Sequence, residues 1–315
     1  MAQTSTRESD GSGAAAVVAG HGRTVPGLVR AMRPRQWPKN LLVFVAPAAA
    51  GAFSHQGQFL RALGAFGIFC GAASAVYLFN DCMDIEADRQ HPVKQLRPIA
   101  SGAVPVPVAI TSGVVLAGAA VACSWLLAGW QLTLVVGAYL VVSVAYSLRL
   151  KREPVIELAA VASGFVLRAI AGGAATHVPL SNWFLVVTCF GALFVAAGKR
   201  SAEHRRLGDA PGAHRVVLDR YTRGFLQSTL VLTATVTVTA YCLWAFERTG
   251  VAARAGSRFV WIELTVVPVV LGILLMLLRL ESGDGEAPED LMLHDRVLQA
   301  LGVLWVALFA IGLYG

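Results

Sequence analysis

Long apolar runs separated by short polar gaps dominate the chain. Taking runs of about 17 or more apolar residues as membrane spans, the pattern predicts nine helices, at roughly 40–56, 61–83, 104–128, 131–149, 154–175, 180–198, 224–246, 259–280 and 295–314. Residues 1–23, rich in Gly, Ala, Ser and Thr, read as a flexible tail; acids precede its short apolar piece, which argues against a cleaved signal segment. Val25, Leu28, Val29 and Met32 then recur at helical spacing among Arg30, Arg33 and Arg35. That predicts a helix over about 25–36 lying on the membrane face, with Trp37 at the interface. The expected fold class is all-α and polytopic: a tail (1–23) followed by one transmembrane domain (24–315).

One stretch departs from the pattern. Residues 77–101 place Asp81, Asp84, Glu86 and Asp88 directly after an apolar run, followed by Arg89, Lys94 and Arg97. If the second span continues through it, Asn80, Asp84 and Asp88 recur at i, i+4 and i+8 and lie within about 80° of one another on the helix. Each acid costs roughly 2.5–3.5 kcal/mol at a bilayer centre, so such a stripe implies a hydrated cavity, a cation, or both. Pro92 and Pro98 end the helix and turn the following loop back, which is expected to bring Lys94 and Arg97 over the acids.

Composition supports the membrane reading: 56% of residues are hydrophobic and 14% charged, with mean hydropathy +0.62, outside the range of soluble domains. Charge sharpens the topology. Connections near 57, 129 and 178 are nearly uncharged, whereas those near 90, 151, 205 and 287 hold most of the charge, with 247–258 an exception. By the positive-inside rule the charged loops face the cytoplasm and the C-terminus lies outside, which predicts a multi-pass protein of the cell membrane with a cytoplasmic site. The net charge of +7 points to membrane lipids and phosphate-rich ligands. No interleaved aromatic and basic pattern argues for nucleic acid. The five cysteines are scattered without a CxxC pair, and the seven histidines show no HExxH spacing, so zinc is not expected.

The chemistry therefore rests on the stripe. Asn80, Asp84 and Asp88 are oxygen donors, the ligands Mg²⁺ prefers, and such sites leave positions for substrate phosphates; these three are the expected metal ligands and catalytic residues. The alternative is a solvated helix end neutralised by Arg89, Lys94 and Arg97. Four further places stand out. Arg168 lies well inside the fifth span, either a functional group or a buried ion-pair partner. Lys199 and Arg200 close the sixth span and suit phosphate oxygens. Tyr146, Arg149 and Lys151 end the fourth, in reach of a phosphate or ribose, with interface anchoring as the alternative for the tyrosine. Lys39 opens the first, where it either meets a phosphate or snorkels. Residues 281–296 read as an acidic, helix-like cover over the cavity mouth.

The motif Asn80-Asp81-x-x-Asp84-x-x-x-Asp88, followed by Arg97-Pro98-Ile99-Ala100-Ser101-Gly102, resembles the signature of the UbiA superfamily of intramembrane prenyltransferases, whose fold is a nine-helix bundle. Arg33-Pro34-Arg35-Gln36-Trp37-Pro38-Lys39-Asn40, Arg168 to Gly173, Gly198-Lys199-Arg200-x-Ala202-Glu203 and Leu243 to Arg248 resemble the branch of actinobacterial decaprenyl-phosphate phosphoribosyltransferases. That resemblance implies Mg²⁺-dependent transfer of 5-phosphoribose from phosphoribosyl diphosphate to a polyprenyl phosphate, with diphosphate released, for arabinan precursors of the cell wall. Prenyl-diphosphate users generally carry a second Asp-rich motif after span 6; here Lys199, Arg200, Glu203, His204, Arg205 and Arg206 stand there instead. Lys94, Arg97, Lys199 and Arg200 are then expected on the donor's phosphates, with Glu203 in the same motif. The alternative within the superfamily is transfer of a polyprenyl chain to an aromatic acceptor; a transporter fits less well, because the polar residues crowd at one face. Acceptor length, metal count and oligomeric state, a homo-oligomer included, stay open.

Overall fold

A computed structural model describes residues 25–207, 217–254, 260–282 and 288–314. The expected tail, residues 255–258 of the charged segment and 283–287 of the acidic cover lie outside the described residues, as does the side chain of Arg206.

In hydrocarbon each backbone N–H and C=O must be satisfied within its own segment, and apolar runs of this length therefore fold as helices. Among the described residues eight helices are long and apolar enough to cross a membrane. They are α3 (Gln56–Met83), α5 (Val106–Ala128), α6 (Trp130–Leu148), α7 (Ile156–Thr176), α8 (Asn182–Leu207), α9 (Arg223–Arg254), the consecutive α10 (Val260–Leu264) and α11 (Val266–Ser282), and α13 (Arg296–Tyr314). These match the last eight expected spans to within several residues, so the chain is an all-α, multi-pass membrane protein. Short helices α4 (Ile85–Gln90) and α12 (Pro288–His294) lie in two of the charged connections.

The first expected span differs. A short helix α1 (25–31) stops before Arg33, which takes a left-handed φ of 55°, and the chain then runs as a 3₁₀ helix over Pro34–Phe44 before α2 (Val45–Ala49). The interfacial helix is correspondingly shorter than the expected 25–36. Prolines explain the change: Pro38 inside the 3₁₀ stretch offers no N–H to close an α turn. Eleven residues of 3₁₀ and five of α-helix, at about 2.0 and 1.5 Å per residue, still extend about 30 Å, the thickness of a hydrocarbon core. The segment has the reach of a span without being a regular α-helix.

The chain divides into two compact units, residues 1–38 with 70–120 and residues 39–69 with 121–315. In the first, Ala31, Leu78, Ile99, Val104 and Ala109 form a closed core with Leu28 and Met32 packed against it. Gly102, at φ 80°, lets the chain turn from the loop into α5, a conformation that a Cβ would strain. Trp37, expected at the interface, donates its indole N–H to Ser74 Oγ at 3.1 Å.

Among its described residues the second unit holds several apolar clusters. In one of them Tyr241, Trp244, Ile262 and Phe309 pack with Ala46 of α2 and Ala169 of α7. The Tyr241 hydroxyl lies 2.7 Å from Thr265 Oγ1 and accepts the Trp305 indole N–H at 2.6 Å. At Gly172 the backbone of α7 meets the carbonyl of Val43 with no room for a side chain. Gly172→Ala is therefore expected to lower stability by about 1–3 kcal/mol or more through overpacking, read as a fall in thermal midpoint in detergent; an unchanged midpoint would mean that this contact gives way freely.

Asp295 caps α13. Its Oδ1 accepts from Val297 N at 2.8 Å and Leu298 N at 3.2 Å, and its Oδ2 from Arg279 Nε at 3.0 Å. The Leu298 N–H foremost, with Val297 and Arg279, holds the Asp295 carboxyl below the usual carboxylate range. A lowered folded pKa contributes stability that is present above the unfolded value of about 3.9 and is lost as pH falls through the folded one. Asp295→Asn, which keeps an acceptor at the cap, should flatten that acid limb of a stability–pH profile and leave neutral pH little changed.

Candidate active site

The acidic site is built where α3 leaves its apolar run. α3 ends at Met83, one turn earlier than an uninterrupted stripe helix would, and Asp84 sits in a bend at φ −95° and ψ 11° before α4. The stripe survives the interruption, because Asp84 N donates to Asn80 O at 3.0 Å and Asp88 N to Asp84 O at 2.8 Å. Asn80, Asp84 and Asp88 therefore keep i+4 register across the bend. The loop after Pro92 returns as expected for Arg97, whose Nη1 donates to Asp88 Oδ2 at 2.6 Å and to Asp81 Oδ1 at 3.2 Å. Arg89 Nε, bonded to Ala100 O at 3.1 Å, pins that loop. Lys94 makes no ion pair among the described residues; its backbone N–H donates to His91 Nδ1.

Asp81 was absent from the expected site residues, yet it is the most enclosed acid of the set. Its side chain is 2% exposed and takes both Arg97 and Arg33, the latter at 2.5 Å. Arg33 also lies over the Tyr77 ring at 4.9 Å. Its left-handed backbone costs on the order of 1–3 kcal/mol, held in place by the pairing with Asp81. The sequence signal was available: Arg33 opens the Arg-Pro-Arg-Gln-Trp-Pro run, and an acid next to Asn80 needs a partner once buried.

Among the described residues no three acidic, histidine or cysteine side chains converge as a ready cage for a metal ion. The donors are nevertheless suited to Mg²⁺, which binds through one or two carboxylates together with substrate phosphates. Asp88 brings a second carboxylate oxygen beyond the one engaged with Arg97. Asn80 and Asp84 are part-exposed oxygen donors on the same stripe.

The second unit carries the other expected residues. Arg200, buried at the end of α8, forks onto Glu157, Nε to Oε1 and Nη2 to Oε2 at 2.6 Å each; its Nη1 donates to Glu203 Oε2 at 2.5 Å and Nη2 to the Tyr146 hydroxyl at 3.4 Å. The structure thus brings together Tyr146, Arg200 and Glu203, but around Glu157, a fully buried acid that sequence reasoning missed. Its signal was an acid in the first turn of a span, a position that the helix dipole favours. The turn that presents it is strained: Val155 has φ 66°, and Tyr221 OH accepts its N–H at 2.7 Å while lying 3.5 Å from Glu157. Burial pushes the Tyr221 phenol above its usual pKa. Lys199 and Lys39 are half-buried, and Arg149 is exposed at the end of α6.

Arg168, expected as a functional group or an ion-pair partner, is held by neutral oxygens. Nε donates to Asn40 Oδ1 at 2.7 Å, Nη1 to Gly164 O at 2.6 Å and Nη2 to Tyr139 OH at 2.9 Å, with the guanidinium 4.8 Å from the Tyr139 ring centroid. It ties the 3₁₀ segment to α6 and α7, a role that spacing alone does not reveal.

Residues 41–313 match the model of the UbiA prenyltransferase family. The chain is 44% identical to the decaprenyl-phosphate phosphoribosyltransferase of Mycobacterium tuberculosis, over 90% of this chain and 93% of that protein. It is 42% identical to the protein of the same name from Corynebacterium glutamicum, over 91% and 87%. Among solved structures it resembles a UbiA homolog from Archaeoglobus fulgidus bound to GPP and Mg²⁺, at a TM-score of 0.65 and 17% identity, over 91% of this chain and 98% of that one. This last similarity concerns the fold.

Proposed function

The chain belongs to the UbiA prenyltransferase family, and from that membership we infer a membrane transferase that moves 5-phosphoribose from phosphoribosyl diphosphate to decaprenyl phosphate and releases diphosphate. The observation that carries this reading is similarity to decaprenyl-phosphate phosphoribosyltransferases along nine-tenths of the chain. The geometry supports it with an oxygen-rich stripe beside a charged fork, Arg97 between Asp81 and Asp88.

Asn80, Asp84 and Asp88 would hold Mg²⁺, which when bound neutralises charge on the diphosphate as its bond to ribose C1 breaks. Arg97 bridges Asp81 and Asp88 and holds them close. Asp81, enclosed by two arginines, positions the loop. Lys94, free of ion pairs among the described residues, is left to meet a phosphate oxygen. The acceptor phosphate is already an anion at neutral pH, so attack at C1 needs alignment more than a general base. Lys39, Tyr146, Arg149 and Lys199 are proposed for phosphate or ribose contacts, while Arg168, engaged by Asn40, Gly164 and Tyr139, holds the 3₁₀ segment in place and Arg200, saturated by Glu157 and Glu203, orients Tyr146. The enzyme would sit in the inner membrane with its site toward the cytoplasm, supplying a precursor of cell-wall arabinan.

The family also contains prenyl transfer to aromatic acceptors as a second reading, favoured by the stripe, which suits any diphosphate. Incubating membranes with labelled phosphoribosyl diphosphate and decaprenyl phosphate separates the two. Label entering the lipid phase supports the first; its absence, with prenylation of an aromatic acid, would install the second.

A further inference from the structure

A cavity of about 360 Å³ lies where α8 ends, α9 begins and α11 ends, lined by Ser201, His204, Arg205, Arg223, Leu226, Gln227 and Glu281. It is not the face of α8 discussed above. At 100° per residue, Ser201, His204 and Arg205 centre about 145° around the helix from Lys199, Arg200 and Glu203. Each of the three helices meets the cavity at the limit of its membrane-spanning stretch, near Arg205, Arg223 and Glu281. The cavity therefore sits at headgroup depth on one side of the membrane.

Its polar groups are poorly matched to one another. Arg205 Nη1 donates to the Glu281 carbonyl at 2.6 Å, which fixes this guanidinium at the rim without neutralising it. Among the described residues neither Arg205 nor Arg223 is paired with a carboxylate. Two guanidinium groups and one carboxylate leave the lining net positive. His204 Nε2 lies 2.9 Å from the Tyr221 carbonyl and so carries its proton, while Nδ1 is buried with no partner. A buried polar atom of this kind costs stability until a ligand or water satisfies it.

We propose that this cavity binds a phosphate group, presented by an anionic lipid headgroup or free in water, at a place separate from the transferase chemistry. Phosphate oxygens accept from both arginine forks, which suit them bidentately, and from the Ser201 hydroxyl and Gln227 amide. A protonated phosphate oxygen, or the imidazolium form of His204, completes the bond at Nδ1. The cavity is roomier than one phosphate needs, leaving space for an esterified glycerol.

The test uses the full chain in phosphatidylcholine nanodiscs and reads the thermal midpoint in two arms: addition of millimolar inorganic phosphate, and replacement of a minority of the lipid by phosphatidylglycerol. Binding to the folded state is expected to raise the midpoint on the order of a few degrees. The same rise is expected in Arg61→Gln/Arg152→Gln, which loses two exposed charges elsewhere, and not in Arg205→Gln/Arg223→Gln. Gln227→Ala, a mild change at an exposed position, should reduce the rise and guards against misfolding of the double variant. A rise with phosphate alone assigns the site to free phosphate, and a rise with phosphatidylglycerol alone assigns it to lipid. No rise in either arm, or an equal rise in the double variant and in Gln227→Ala, overturns the proposal.

Discussion

Asp84→Asn is expected to lower phosphoribosyl transfer by about 10³-fold, the scale on which one preorganised electrostatic group contributes to a transition state, while the protein keeps its thermal midpoint. Asp84 sits in the bend between α3 and α4, where its backbone already supplies both hydrogen bonds of the register. Losing the charge removes the proposed metal ligand and leaves those backbone bonds in place. Initial rates against Mg²⁺ concentration provide the check: the variant should need far more metal and stay slow at saturation. Full activity at ordinary Mg²⁺ would remove Asp84 from the site. Asp81→Asn makes the contrast, because Asp81 is enclosed by Arg33 and Arg97. It should lose stability and leave the metal requirement of the residual activity unchanged.

Glu157→Ala is expected to cost about 3–5 kcal/mol of stability, since it removes the buried carboxylate onto which Arg200 forks and leaves only the part-exposed Glu203 against that charge. The two side chains are 0% and 4% exposed, so solvent does little to screen the loss. The denaturant midpoint of the purified protein is the readout. Glu157→Ala/Arg200→Met, which removes both charges, should recover most of the deficit. A loss under about 1 kcal/mol for the single variant would place this pair among surface-like ion pairs.

How much of this was legible beforehand depended on the kind of signal. Eight spans followed from hydropathy because burying apolar length is a local property, written residue by residue. The first span did not follow, because Pro38 changes helix type without changing hydropathy. The stripe Asn80, Asp84 and Asp88 was readable from i+4 spacing and survived the bend at Asp84, since the backbone bonds hold the register. Arg97 was readable too, because Pro92 and Pro98 limit where its loop can go.

Pairings across long sequence distances were not readable. Arg33 with Asp81, Arg200 with Glu157 and Arg168 with Asn40 join residues 48, 43 and 128 positions apart, and nothing in periodicity selects one partner over another. That is why Arg200 reads as a phosphate ligand in the sequence and as an anchored group in the fold. For Arg168, the neutral oxygens of Asn40, Gly164 and Tyr139 leave no acidic residue in the sequence to point at its surroundings.

The central claim is that the diphosphate end of the donor is the leaving group and the phosphoribosyl end goes to the lipid. Two donor preparations test it, one labelled in the 5-phosphate and one in the β-phosphate of the diphosphate, each incubated with the purified protein, Mg²⁺ and decaprenyl phosphate. The account predicts 5-phosphate label in the organic phase and β-phosphate label in water as diphosphate, in equal amounts. Label from the β-phosphate in the lipid, or 5-phosphate label remaining wholly in water, would contradict it.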